Sequence, residues 1–183
     1  MKSKLIKLLI FLTAVGFSGC SSMPKIKYTV QLPVSGTRNV FIHIQDFEDT
    51  RGSYEIGKLG GVYNGYNMRL GDVKEPPGLV QSIQSAFMTE IKNSGYQVVS
   101  DDRDLVLRGI LQSVTCDSGN SKQSDLKVRL ILKDKGDEVL DQVYQGKSNV
   151  FFTLDTSCSR PLVNALEQVV SKFVRDLNEY VNT

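Results

Sequence analysis

Apolar residues recur every four positions at Leu79, Ile83, Phe87 and Ile91, with Val80 and Met88 beside them. Gln81, Gln84, Glu90 and Lys92 lie off that stripe. The period predicts an amphipathic helix over about 78–94, opened by Glu75-Pro76-Pro77 with proline in its first turn and capped by Gly95. Leu162, Leu166, Val169, Val170, Phe173, Leu177 and Val181 repeat the pattern, and Arg160-Pro161 opens a second helix over 160–181. Elsewhere the period is two. Leu126, Val128, Leu130 and Leu132 alternate with Lys127, Arg129, Ile131 and Lys133. A strand is read at 104–115 and its continuation at 117–124 as a loop. Lys135-Gly136-Asp137 is a tight turn, and Val139 to Phe152 is the partner strand, so 104–152 forms a three-stranded meander. Upstream, Val40 to Ile44 is a compact strand and 45–53 a polar loop. Residues 54–73 hold five glycines and three tyrosines; Gly60-Gly61 and Asn64-Gly65 are turn signals between short apolar pieces, read as one or two short strands forming a hairpin, followed by an exposed loop. Tyr96 to Val99 is one more short strand. Two amphipathic helices must bury their stripes. The expected fold is therefore α+β: a mostly antiparallel sheet of about 4–6 strands with both helices packed on one face.

The first residues do not belong to that pattern. Lys2, Lys4 and Lys7 precede a short apolar run from Leu8 to Phe17, and Ser18-Gly19 lead into Cys20. This is the three-part layout of a secretory signal, too short to span ~30 Å of hydrocarbon. The small-small-Cys ending resembles the bacterial lipobox, with Phe17 standing where the usual pattern has leucine. A plain signal with an incidental cysteine is the alternative. The organisation expected is a signal peptide at 1–19, a lipidated tether at 20–37 and a single α+β domain at 38–183. The tether is read with one short strand at Tyr28 to Leu32. By the same resemblance, Ser21 points to sorting to the outer membrane, with Cys20 acylated and the domain facing the periplasm. Two or three acyl chains hold a protein at a bilayer.

Only then does the charge become informative. The 183-residue chain carries a formal +2. Removing 1–19 takes Lys2, Lys4 and Lys7 and no acid, which leaves −1. The apparent basicity is thus no argument for nucleic acid. Lys25 and Lys27 sit beside the anchor in what reads as a solvated tether. Cys116 and Cys158 remain, without CxxC spacing and with a lone His43, so zinc ligands are lacking. An oxidising periplasm permits a disulfide between them, which is the reading taken; two buried thiols are the alternative.

No phosphate-binding loop, dinucleotide fingerprint or GxSxG motif occurs, and no cofactor or metal site is expected. His43 sits inside an apolar strand and reads as structural. Asp46, Glu48 and Asp49 form one acidic loop and Asp101, Asp102 and Asp104 another. A hydrolase would need them to face each other across a cleft; Arg51 and Arg103 make solvated turns the plainer reading. The better candidate surface is the Gly/Tyr segment, where Tyr63, Tyr66, Met68 and Arg69 stand among Gly60, Gly61, Gly65 and Gly71 and present large groups to a partner. The alternative is tyrosines packed on the sheet edge.

From Ile56-Gly57 through Asn64-Gly65 and Asp72-Val73 into Leu79…Phe87…Glu90-Ile91…Gly95-Tyr96, the chain resembles the YajG-like outer-membrane lipoproteins: a Gly-containing segment, a helix ending in Gly-Tyr, a meander and a C-terminal helix. The Cys116/Cys158 pair lies outside that pattern. The resemblance implies fold, anchor and compartment, and no catalytic residues. The expectation is a non-enzymatic accessory lipoprotein that binds an envelope protein. A lipid- or lipopolysaccharide-handling protein, with an apolar pocket between helices and sheet, is the second reading.

Overall fold

The computed structural model describes residues 38–101, 104–151 and 158–183. In chain order these hold β1 (Phe41–Ile44), β2 (Glu48–Asp49), β3 (Lys58–Tyr63), β4 (Arg69–Lys74), α1 (Leu79–Asn93), β5 (Gln97–Val99), β6 (Leu105–Ser118), β7 (Ser121–Asp134), β8 (Asp137–Phe151) and α2 (Ser159–Val181). The strands make one eight-stranded mixed sheet. The expected tether at 20–37, the strand at Tyr28 to Leu32 and Cys20 lie outside the described residues.

The long meander is the frame. β6 spans 14 residues, roughly 45 Å at ~3.3 Å per residue. Its one edge pairs antiparallel with β7 throughout, and β7 pairs antiparallel with β8. Lys135 and Gly136 both take positive φ, 50° and 97°, as a two-residue hairpin of matching twist requires. The other edge of β6 takes three segments in turn, all parallel: β1 at 105–107, β2 at 110–111 and β3 at 118. β5 adds parallel to β1. The sheet is thus larger than the 4–6 strands expected and partly parallel. Antiparallel neighbours announce themselves by a local turn; parallel ones join through a long crossover, here the stretch containing α1, and leave no such signal.

Two further expectations are corrected. The stretch 117–124 is mostly strand, because β6 runs to Ser118 and β7 starts at Ser121 around a short turn at Gly119-Asn120. Its alternation is written in polar residues: Ser118, Lys122 and Ser124 point inward and are buried, while Asp117 and Gln123 are exposed. A bulge between Leu111 and Ser113 also switches the buried parity of β6 from Leu105, Leu107 and Leu111 to Val114 and Cys116, as one extra residue must. The prolines 76 and 77 precede α1 rather than entering its first turn; Gly78, at φ 69°, is its N-cap.

Both helices pack on one face. Ile83, Phe87 and Ile91 of α1 and Leu166, Val170, Phe173 and Leu177 of α2 meet Leu107, Leu130 and Leu132 of the sheet, all essentially inaccessible. An aromatic row, Phe47–Phe87–Phe173–Tyr144, crosses the layer at centroid separations of 5.4, 5.8 and 5.9 Å. α1 ends in a Schellman turn, with Gly95 N–H donating to Lys92 O and Tyr96 N–H to Ile91 O. The buried Tyr96 then donates to Asn178 at 2.8 Å and ties that turn to α2. At one end α2 is fixed by a disulfide, Cys116 to Cys158, with Cα atoms 6.2 Å apart. At the other, Tyr180 donates to Asp134 at 2.8 Å.

α2 approaches β8 so closely at Gly146 that a Cβ there would overlap the Ala165 carbonyl. Since the obstacle is helix backbone, Gly146→Ala is expected to destabilise by about 1–3 kcal/mol, read as a lower urea midpoint with an unchanged slope.

Candidate binding surface

The β3–β4 hairpin is held at its base and free at its tip. Leu59 and Val73 are buried. Gly60 lies so close to β6 that a Cβ would overlap the Cys116 carbonyl, and Gly61 N–H donates to Asp117 Oδ1 at 2.8 Å. Below them sits a charged clamp. The Arg51 side chain, fully inaccessible, donates through Nε and Nη2 to Asp49 at 2.9 and 2.6 Å and through Nη2 to Glu75 at 3.1 Å. Its Nη1 lies 3.0 Å from Glu75 Oε2, an ion-pair distance whose angle falls short of a hydrogen bond. Glu75 also accepts from Gly57 N–H. The hydrogen bonds from Arg51 hold the Asp49 carboxyl below the usual aspartate value, and those it donates to Asp49 first, then to Glu75, raise the guanidinium.

The tip is rigid although it is exposed. Asn64 Oδ1 accepts from Tyr66 N–H and Met68 N–H at 3.0 and 2.9 Å, an Asx-type turn. Asn64 N–H donates to Met68 O, and Asn67 N–H to Asn64 O. This turn displays Tyr66 at 87%, Met68 at 57% and Leu70 at 67% exposure. Arg69 and Lys58 both bridge Asp72, at 2.6 and 2.9 Å. The hydrogen bond from Lys58, then that from Arg69, lowers the Asp72 carboxyl. Beneath the tip, Tyr63, Asn64, Asn67, Asn120 and Gln123 line an open cleft of about 440 Å³.

Of the four residues singled out in the sequence, Tyr66, Met68 and Arg69 thus share the exposed hairpin. Tyr63 is half-buried, its ring folded over Gly61, which is the packing role weighed as the alternative. Leu70 shares that exposed hairpin as well; on a six-residue strand with only Leu70 and Val73 apolar, it shows no period in the sequence.

Glu48 and Asp104, one from each acidic loop, stand apart. Glu48 is held by Arg108 at 2.7 Å and pairs beside Ile110, six residues along β6 from Asp104, roughly 20 Å at ~3.3 Å per residue. Asp104 accepts from Phe41 N–H, Asp46 from Gln84; Asp102 and Arg103 lie outside the described residues. His43 is half-buried in the parallel ladder between Val99 and Val106. Among the described residues no group of three His, Cys, Asp or Glu is placed to hold a metal ion, and no helix is long and apolar enough to cross a membrane. One cluster of buried side chains joins both helices to the sheet among the described residues.

No family model matches the chain, and no curated protein matches it either. Solved structures do. A Xanthomonas campestris protein of the DUF330 family model superposes with TM-score 0.53 at 10% identity, over 81% of this chain and 88% of its own. A hypothetical protein from Chlamydia trachomatis gives TM-score 0.53 at 7% identity, over 79% and 98%. At these identities the likeness is one of fold: two helices on one face of a mixed sheet.

Proposed function

We propose that the chain is a non-enzymatic accessory lipoprotein, anchored in the outer membrane through acylated Cys20, facing the periplasm, and binding an envelope protein through the β3–β4 hairpin. The signal, the lipobox-like Ser18-Gly19-Cys20 and the YajG-like resemblance support the anchor and compartment. One observation carries the binding role: a turn stiffened by Asn64 holds Tyr66, Met68 and Leu70 out in solvent. Monomers seldom leave such groups clustered on a rigid tip without a contact to make.

Two measurements test this. Labelled palmitate should enter the wild-type chain and not the Cys20→Ala form, which should leave the membrane fraction. Tyr66→Ser with Met68→Ser should keep the wild-type circular dichroism and melting point, since both side chains are exposed, yet reduce a chemically crosslinked adduct about tenfold or more, the scale of an interface anchor. Equal crosslinking by the double variant would remove the hairpin from consideration.

A further inference from the structure

Two margins of the sheet are treated in opposite ways. Along the outer side of β8, α2 satisfies the strand: the Gln168 side-chain amide accepts from Lys147 N–H at 3.2 Å and donates to Lys147 O at 2.7 Å, copying a neighbouring strand. Lys172 donates to Gln145 O at 2.7 Å. At Gln145 and Lys147 that margin is closed to a further strand. On the other side β4 is terminal and pairs only with β3. Five of its six residues are exposed, Val73 alone being buried. A Cβ built on Gly71 meets nothing within 4 Å, so a neighbouring chain has room to approach mid-strand. Such an edge, carrying Leu70 with Met68 just before it and lacking a bond donor from its own fold among the described residues, is a template for strand addition.

We propose that β4 takes up an extended acidic segment of a partner protein as a ninth strand of the sheet. This rests on the reading of the hairpin as the docking surface and specifies how it docks. The charge selects the occupant: Lys58, Arg69 and Lys74 surround β4 against the single carboxylate of Asp72, so acidic residues on the incoming strand complement it. A second copy is disfavoured by the same charges. In the antiparallel register that overlaps β4 fully, Arg69 falls opposite Lys74 of the other copy, a like-charge pair.

The test uses the full mature chain and a short synthetic peptide alternating glutamate and valine, with two controls: the same peptide with a central proline, and one with lysine for glutamate. The expected result is amide hydrogen exchange in residues 69–74 slowed about tenfold by the first peptide, with affinity falling about tenfold for the proline peptide, which loses a ladder donor, and at least as much for the lysine peptide. Leu70→Glu, exposed and outside the core, removes an apolar contact and sets a carboxylate against the acidic peptide, and should abolish the protection. Equal binding of the proline peptide, or no slowing in β4, overturns strand addition, and equal binding of the lysine peptide overturns the acidic occupant. Protection that rises with protein concentration alone makes a second copy the occupant and overturns the proposal. Each leaves the adduct from Tyr66 and Met68 to judge the hairpin itself.

Discussion

Arg51→Leu is expected to cost about 2–3 kcal/mol of folding stability, the scale for losing charge-assisted hydrogen bonds at a buried group. The guanidinium is wholly inaccessible, while Asp49 is an exposed residue and Glu75 half-buried. Removing the cation leaves two neighbouring carboxylates without their donor, and cuts the link between the loop after β2 and the segment leading from β4 into α1. The base of the hairpin should loosen first, so exchange of the Gly57 and Gly61 amides should rise beyond the global change. The same cluster sets an acid limit. The Asp49 pKa is lowered in the folded state, so its contribution is complete above the ordinary aspartate value near 3.8 and is lost as pH falls through the lower folded value. Thermal melts from pH 7 down to pH 2 should show wild-type stability dropping below about pH 4, with the Arg51→Leu protein lacking that part of the slope. An unchanged melting point in Arg51→Leu would show that the clamp does not hold the hairpin base.

Removing the disulfide is the second large effect. Cys116 and Cys158 close a loop with a sequence separation of 42, and loop-closure entropy puts the loss at about 4 kcal/mol. For a domain of this size that lowers the melting temperature by roughly 8–16 °C. Cys116→Ala with Cys158→Ala is the informative pair, since both sites are buried and a single substitution leaves a thiol free to mispair. The bond ties β6 to the N-terminal end of α2, so fraying should begin at Ser159 and spread toward Phe173. A double variant that melts with the wild type would show that core packing alone positions the helix.

Both helices were readable from spacing because their apolar stripes are uninterrupted from Leu79 to Ile91 and from Leu162 to Leu177. The meander was readable where leucine and valine alternate with lysine and arginine, and became opaque beyond Thr115. There the inward positions are Ser118, Lys122 and Ser124, and polar side chains carry no hydrophobic period. The parallel strands on β6 were hidden for another reason: β2 is two residues long, and β3 shares a single ladder pair with β6, Val62 with Ser118. Local pattern cannot encode so brief a contact. At the candidate surface, Tyr66, Met68 and Arg69 stood out by residue type. What separated Tyr63 from them was the close approach of its ring to Gly61, a tertiary fact. Arg51 looked like a neutraliser of nearby acids; its distant partner Glu75 comes from the far side of the hairpin.

The central claim, that this hairpin is where the protein meets its partner, is tested most directly by photocrosslinking in intact cells. A photoreactive phenylalanine is placed in turn at Tyr66, Leu70, Lys127 and Glu179, the last two on the open sheet face and on α2. A discrete adduct from Tyr66 and Leu70, absent from Lys127 and Glu179, is the predicted result. Adducts from the open face or the helix with none from the hairpin would contradict it.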